Sequence, residues 1–377
     1  MRTKELGALV ALVALFACGT TLAGSKADIV VMTQNQYLGA DLTPIIAAED
    51  ATAANAAIIE ALTTVSNNNY QERVVALAET IQDKKPHLVA LQEMFSFDCL
   101  DPYQTGICAL FPNAFSDHLA ATMAALGDDY EVAAVLQNLT LPPAGFPYPG
   151  IPIQLSPTGL PVFILVVDRD VILARSDVDT SIVDFDCARK SIDGCNYNVV
   201  APADLAGFPI NIERGFVGVD ATVNGVDYRF INTHLEVQHL TSDPASIYFQ
   251  TVQASELLNA IFDVDTFDPT KRHVVAGDFN SSPADVSEIG QPTAYEQMAM
   301  FFTDIWQPGQ GKSGFTCCEL ADLSNSPSQH DERIDLVFTL PAPSKSKAKV
   351  LGSKVKDKTL SGLWPSDHGS VSAELSY

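Results

Sequence analysis

Val274–Pro283, read VVAGDFNSSP, is the stretch from which the chain can be organised. The apolar Val274, Val275 and Ala276 predict a buried strand over Arg272–Ala276, and the glycine, serines and proline that follow predict a turn. Asp278 and Asn280 stand two residues apart at its end, with Phe279 between them. In an extended chain such residues project to the same side. One is an anionic acceptor or base, and the other is an amide that both donates and accepts. The pair suits the handling of a water molecule beside a phosphate. A strand running into Gly-Asp also ends many ordinary turns, so the stretch alone leaves both readings open.

The same design recurs along the chain. Asn35 follows VVMTQ, Glu93 follows LVALQ, and His234 follows FINT. Asp335 sits in ERIDLVF, and Asp367 and His368 sit in WPSDHGS just before the last predicted strand, Ser370–Leu375. Each residue alone has a plain structural reading as a turn former, cap, ion-pair partner or core histidine. Together they place polar groups at the ends of several short strands, and strand ends that meet at one sheet edge build a common cleft.

These runs are QN at 34–35, LQE at 91–93, NTHL at 232–235, GDFNSSP at 277–283, RID at 333–335 and SDH at 366–368. In this order they resemble the endonuclease/exonuclease/phosphatase superfamily, which holds DNase I-like nucleases, abasic-site endonucleases, neutral sphingomyelinases, deadenylases and inositol-phosphate phosphatases. The resemblance covers about Ile29 to Leu375. It implies an α+β fold, a four-layer α/β/β/α sandwich of two packed, mostly antiparallel mixed sheets with helices outside. It also implies roles. Glu93 is the main Mg²⁺ ligand, with Asn35 and Asp367 close to the ion. Asp278 orients or deprotonates the attacking water, and Asn280 holds that water or a phosphate oxygen. Asp335 positions His368, and His368 and His234 contact the phosphate. Some branches carry a further tyrosine or acidic partner in mid-chain. Tyr197 and Arg175 are loose candidates for it here.

The chemistry of the residue types agrees. A hard dication prefers carboxylate and amide oxygens, so Mg²⁺ is expected, with Mn²⁺ or Ca²⁺ as alternatives. Such an ion offsets phosphate charge. A carboxylate beside a water can serve as base, and an imidazolium held by a carboxylate donates to the developing charge.

Charge narrows the substrate. The 377 residues include 46 acidic and 22 basic side chains, a formal net charge of −24. Such a surface repels an extended polyanion. A phosphodiester in a phospholipid headgroup or small phosphoester is therefore preferred. A non-specific secreted endonuclease is the alternative within the fold, and a surface binding protein without activity is the alternative outside enzymology. With 47% hydrophobic and 18% charged residues, the chain can bury a large core, and a single domain over 27–377 and a monomer are expected.

Arg2, Lys4 and the apolar Leu6–Phe16 predict a signal peptide. Cleavage before Gly24 would remove 1–23; the alternative, a lipobox at Leu15–Cys18, would remove 1–17 and lipidate Cys18. Either way the chain is exported, secreted or periplasmic, and no later stretch reads as a membrane span. Six further cysteines fall in three couples, Cys99 with Cys108, Cys187 with Cys195, and Cys317 with Cys318. In an oxidising compartment disulfides are expected. The adjacent couple could bond to itself, or each member could pair elsewhere.

Between the motifs, the periodicity predicts helices over about Asp41–Asn67, Tyr70–Lys84, Ser116–Leu126 and Ser246–Phe262. On the second of these, Val74, Val75, Leu77, Ala78 and Ile81 are expected to be buried. Val162–Val167 and Val171–Ala174 read as two strands joined by Asp168-Arg169-Asp170, and Asn224-Gly225 as a hairpin turn. Alternating lysines from Lys345 predict an exposed sheet edge. The apolar, proline-rich Leu141–Pro161 reads as either a substrate lid or a packed surface loop.

Overall fold

The computed structural model describes residues 28–156, 158–205, 208–240, 244–288, 290–306 and 313–377. The predicted export segment and Cys18 lie outside the described residues. Two eight-stranded sheets form the body. The first runs in the order Lys345–Leu351, Ser370–Ser376, Ile29–Asn35, Leu88–Gln92, Val162–Arg175, Ser96–Leu100, with Tyr130–Leu141 and Ile151–Ile153 also paired to Val162–Arg175. The second centres on Gly215–Val223, Val226–His234, Arg272–Asp278 and Asp335–Leu340. Most pairings are antiparallel. Among the described residues two are parallel, Ile29–Asn35 with Leu88–Gln92 and Val226–His234 with Arg272–Asp278. A parallel pair needs a long crossover, and helices supply it: Ala51–Asn67 and Tyr70–Lys84 in the first sheet, Ser246–Ile261 in the second.

The layer order follows from period-2 alternation with both faces apolar. Val31, Leu88, Ala90 and Ile172 of one sheet pack on Val217, Phe230, Val274 and Ala276 of the other. Their neighbours in sequence point outward. Met32, Val89, Leu91 and Leu173 meet Ala78, Ile81 and Leu126 of the helices on one side. Ile231, Val275 and Phe338 meet Ala254, Leu257, Ile261 and Met298 on the other. This is the expected α+β four-layer sandwich. A polar clamp crosses its middle. Asn232 donates to the Leu91 and Val171 carbonyls at 2.9 Å each and accepts from Gln92 Nε2 at 2.7 Å.

Several expectations change in detail. The first predicted helix is split, a short turn at Thr43–Ile46 and then Ala51–Asn67. The break is made by Asp50, whose carboxylate caps Thr52 N and Ala53 N at 2.8 Å. On Tyr70–Lys84, Val75 is 52% exposed, because Val74, Leu77, Ala78 and Ile81 already complete the buried stripe. Val162–Arg175 is one continuous strand rather than two. Asp168 and Asp170 look like a turn in sequence, but both are buried. Asn224 and Gly225 both take positive φ, 53° and 78°, as a two-residue hairpin turn of the primed kind requires. The lysine-bearing Lys345–Leu351 is an edge strand, with Lys345, Lys347 and Lys349 exposed or partly so. Ile151–Ile153 docks on Val162–Ile164, and Gln154 is tied to Asn55 of the Ala51–Asn67 helix through two hydrogen bonds. All three local cysteine couples are joined as disulfides. No helix among the described residues is long and apolar enough to cross a membrane.

Candidate active site

Register builds the floor of the site. His234 pairs with Asp278 across the parallel pair, and Asp278 pairs with Asp335 across the antiparallel one. Residues directly opposite share a face, so three strand ends present one polar row. Gly277 allows the row to close, since a Cβ there would run into the Thr233 carbonyl. From the other sheet, Asn35 ends Ile29–Asn35, and Glu93 leaves Leu88–Gln92 with φ +57°. Asn280 also has positive φ, 46°. Non-glycine residues carry such φ values at a cost and tend to do so at functional sites.

The two sheets meet through Asn35. Its Nδ2 donates to Glu93 Oε1 at 3.2 Å and to Asp278 Oδ2 at 3.0 Å, while its Oδ1 accepts from Tyr37 N at 2.9 Å. The other Glu93 oxygen accepts from Leu38 N at 2.9 Å. Asp278 Oδ1 accepts from Asn280 N at 2.9 Å. Asn280 Nδ2 donates to the Leu235 carbonyl at 2.8 Å and lies 3.3 Å from His234 Nε2. His368 Nδ1 lies 2.8 Å from Asp335 Oδ2 and 3.8 Å from Asp278 Oδ2. Asn35, His234, Asp278, Asp335 and His368 are buried; Glu93, Asn280 and Asp367 are partly exposed and form the rim. The structure therefore brings all eight sequence-derived candidates to one place.

Electrostatics sort them. Burial pushes Asp278 up to about 7, against the pull of His368 and with help from Asp335. Burial likewise pushes Asp367 up to about 7, with Glu93 and Asp278 adding repulsion. His368 is raised well above an ordinary histidine, because Asp335, Asp367 and Asp278 outweigh its burial. The three carboxyls around it favour its charged form. His234 goes the other way, lowered by burial and by Arg214 and His368. The site thus favours charge on one imidazole and opposes it on the other.

Residues outside the motifs complete the site. Arg214 Nη1 lies 3.3 Å from His234 Nδ1, and the guanidinium lies 3.6 Å from Asp168 Oδ2 and from Glu236 Oε2. Asp170 accepts from Asn138 Nδ2 at 2.9 Å nearby. Arg73 is buried and donates to the carbonyls of Asn68, Gln36, Tyr37 and Pro365. It ties the loop after Asn35 to the loop that carries Ser366, Asp367 and His368. Ser366 Oγ adds a bond to the Asn35 carbonyl at 2.8 Å. Of the two loose sequence candidates, Tyr197 bonds Thr233 Oγ1 at 2.7 Å and supports the NTHL run from behind. Arg175 bonds Asp177 and the Lys85 carbonyl at the far end of its strand. The sequence signal that could have found Arg214 is its place at the head of the Gly215–Val223 strand, whose first residue pairs with His234.

The donor set fits a hard cation. Glu93 and Asp367 face the opening and repel each other, and the buried Asp278 adds a third carboxyl. No thiolate lies among them. A divalent ion there would offset this crowding.

No protein-family model and no curated protein matches the sequence. Solved structures do. Truncated TDP2 of Caenorhabditis elegans superposes with a TM-score of 0.50 at 14% identity, covering 93% of this chain and 97% of that one. The endonuclease/exonuclease/phosphatase from Bacteroides vulgatus also gives 0.50, at 16% identity, covering 92% and 98%. At such identities the likeness is one of fold.

Proposed function

We propose that this chain uses the endonuclease/exonuclease/phosphatase fold as an exported, metal-dependent phosphoesterase that hydrolyses phosphodiesters. The observation that carries the reading is the bridge made by Asn35 between Glu93 of one sheet and Asp278 of the other. It puts an ion-binding carboxylate and a water-activating carboxylate within one hydrogen-bond network, with His368 alongside.

Glu93 and Asp367 would hold Mg²⁺, with Asn35 tying Glu93 to Asp278 through its Nδ2. When bound, such an ion neutralises phosphate charge and stabilises the leaving oxygen. Asp278, pushed up to about 7, has the proton affinity of a general base at neutral pH. Asn280 holds the attacking water or a phosphate oxygen. His368, kept charged by Asp335, donates from Nε2 to the phosphoryl oxygens as negative charge builds. His234 is the neutral donor beside it.

A phospholipid headgroup or small phosphoester is the favoured substrate. The net charge of −24 disfavours a polynucleotide. Tyr148, Leu155 and Leu160 of the Leu141–Pro161 segment are exposed, which suits a lipid surface. The disulfides suit an oxidising compartment.

The test is a panel of sphingomyelin vesicles, a chromogenic phosphodiester and nucleic acid, each with Mg²⁺ and with chelator. Chelator-sensitive hydrolysis of the diester and the lipid is expected. Glu93→Ala and Asp278→Ala should each abolish it in a folded protein, and full activity in either overturns the assignment. Preference for nucleic acid would replace the substrate class and keep the chemistry.

A further inference from the structure

Two backbone hydrogen bonds lay the segment 316–319 alongside the turn 367–369. Gly369 N donates to the Thr316 carbonyl at 2.7 Å, and Glu319 N donates to the Asp367 carbonyl at 2.9 Å. Cys317 and Cys318 are therefore held opposite His368. Cys318 Sγ lies 4.0 Å from His368 Nε2, the nitrogen that Asp335 leaves free. The two sulfurs and the imidazole offer ligand atoms all within 4.8 Å of one another. Cys317 is buried and Cys318 exposed, so the pair is reachable from solvent on one side. In the structure the sulfurs are bonded to each other.

We propose that reduction of this pair creates a site for a thiophilic ion, Zn²⁺ or Cd²⁺, held by Cys317, Cys318 and His368 Nε2, and that its occupancy shuts down the phosphoesterase centre. The inhibitory half rests on the function proposed above; the binding half does not. A trialkylphosphine opens the site. It attacks one sulfur, the S–S bond breaks, and water supplies the oxygen of the phosphine oxide and the two thiol protons. Binding of the ion then displaces those two thiol protons and the Nε2 proton of His368, and forms two metal–sulfur bonds and one metal–nitrogen bond.

Three features favour this site. Thiolates and imidazole select soft or borderline ions, whereas the oxygen set at Glu93 and Asp367 selects hard ones. A tetrahedral ion brings neighbouring sulfur and nitrogen ligands to about 3.5 Å, so the 4.0 Å between Cys318 and His368 closes with a small shift. Asp335 on the other imidazole nitrogen is the carboxylate that metal-bound histidines commonly carry. Once its Nε2 is ligated, His368 has no donor left for a phosphate.

The experiment titrates Cd²⁺ into oxidised and phosphine-reduced protein and follows the ultraviolet thiolate-to-cadmium band. One equivalent should bind the reduced protein and none the oxidised one. Reduction also frees Cys99, Cys108, Cys187 and Cys195, so the Cys317→Ser/Cys318→Ser double variant, which keeps those four, must lose the band. Should that variant not fold, Cd²⁺ must shield Cys317 and Cys318 of the reduced wild type from alkylation, read by mass spectrometry. With saturating Mg²⁺, one equivalent of Cd²⁺ should lower hydrolysis at least tenfold in reduced wild type and leave the double variant unaffected. A band that survives in the double variant, or no shielding of these two cysteines, overturns the site. Binding that leaves hydrolysis unchanged overturns its hold on His368. A lack of hydrolysis in the oxidised, cadmium-free protein counts against the phosphoesterase reading, and the spectroscopic result stands apart from it.

Discussion

Arg214 Nη1 lies 3.3 Å from Nδ1 of His234, and a guanidinium can only donate. Nδ1 is therefore the acceptor in that contact, while Asn280 Nδ2, which donates to the Leu235 carbonyl, lies 3.3 Å from Nε2. Nε2 faces Asp278, 3.6 Å away, on the side where a phosphate would lie. Arg214 is thus a positioning residue for the His234 imidazole. Arg214→Met should raise the proton affinity of His234, since Arg214 is one of the causes of its depression. Turnover should fall, by roughly 10–100-fold, toward the loss in His234→Ala. Nitrogen-15 NMR of the histidines over a pH series reads the first effect, and diester hydrolysis the second. Unchanged titration of His234 in the variant would sink the assignment.

The NTHL run carries two separable jobs. His234 faces the site, but Asn232 is fully buried and bonds three groups of the opposite sheet. Replacing it by leucine leaves the Asn232-facing sides of two carbonyls and one Gln92 Nε2 hydrogen unmatched, the other still donating to Thr33 Oγ1 at 3.2 Å. A loss of about 2–4 kcal/mol in stability is expected. Urea unfolding should show this as a lower midpoint, while the folded fraction keeps its turnover per molecule. Equal midpoints for the variant and the wild type would contradict the clamp.

What the sequence made legible were strand ends. A short apolar run followed by Asn, Glu, His or Asp announces itself, because burial and exposure change within one residue. Hence Asn35, Glu93, His234, Asp278, Asn280, Asp335, Asp367 and His368 could all be named from the chain and are gathered in the structure. Side chains that act from inside a strand gave no such contrast. Asp168 and Asp170 read as a turn because charge in mid-strand is normally solvated. Their partners, Arg214 and Asn138, and Glu236, which shares Arg214 with Asp168, come from three other places in the chain. Arg73 lies within a helix, yet its guanidinium meets four carbonyls, three of them in loops near the site. Such long-range pairings have no local pattern to read.

The buried Asp168 makes a prediction about pH. Burial, together with repulsion from Glu93, pushes its carboxyl up to about 7 despite Arg214, whereas in the unfolded chain it should titrate near pH ~4. Between those two values the unfolded chain has released a proton that the folded one retains. The protonated Asp168 therefore favours folding fully below pH ~4, and this advantage is lost as the pH rises through about 7. Asp168→Asn has no proton to lose. Its stability relative to wild type should climb across that window, by on the order of 1–3 kcal/mol at pH ~8. Loss of the Arg214 partner adds an offset that does not alter the direction of the trend. Urea unfolding at half-unit steps in pH measures the difference directly. Parallel stability curves for the two proteins would show that Asp168 is already ionised in the fold.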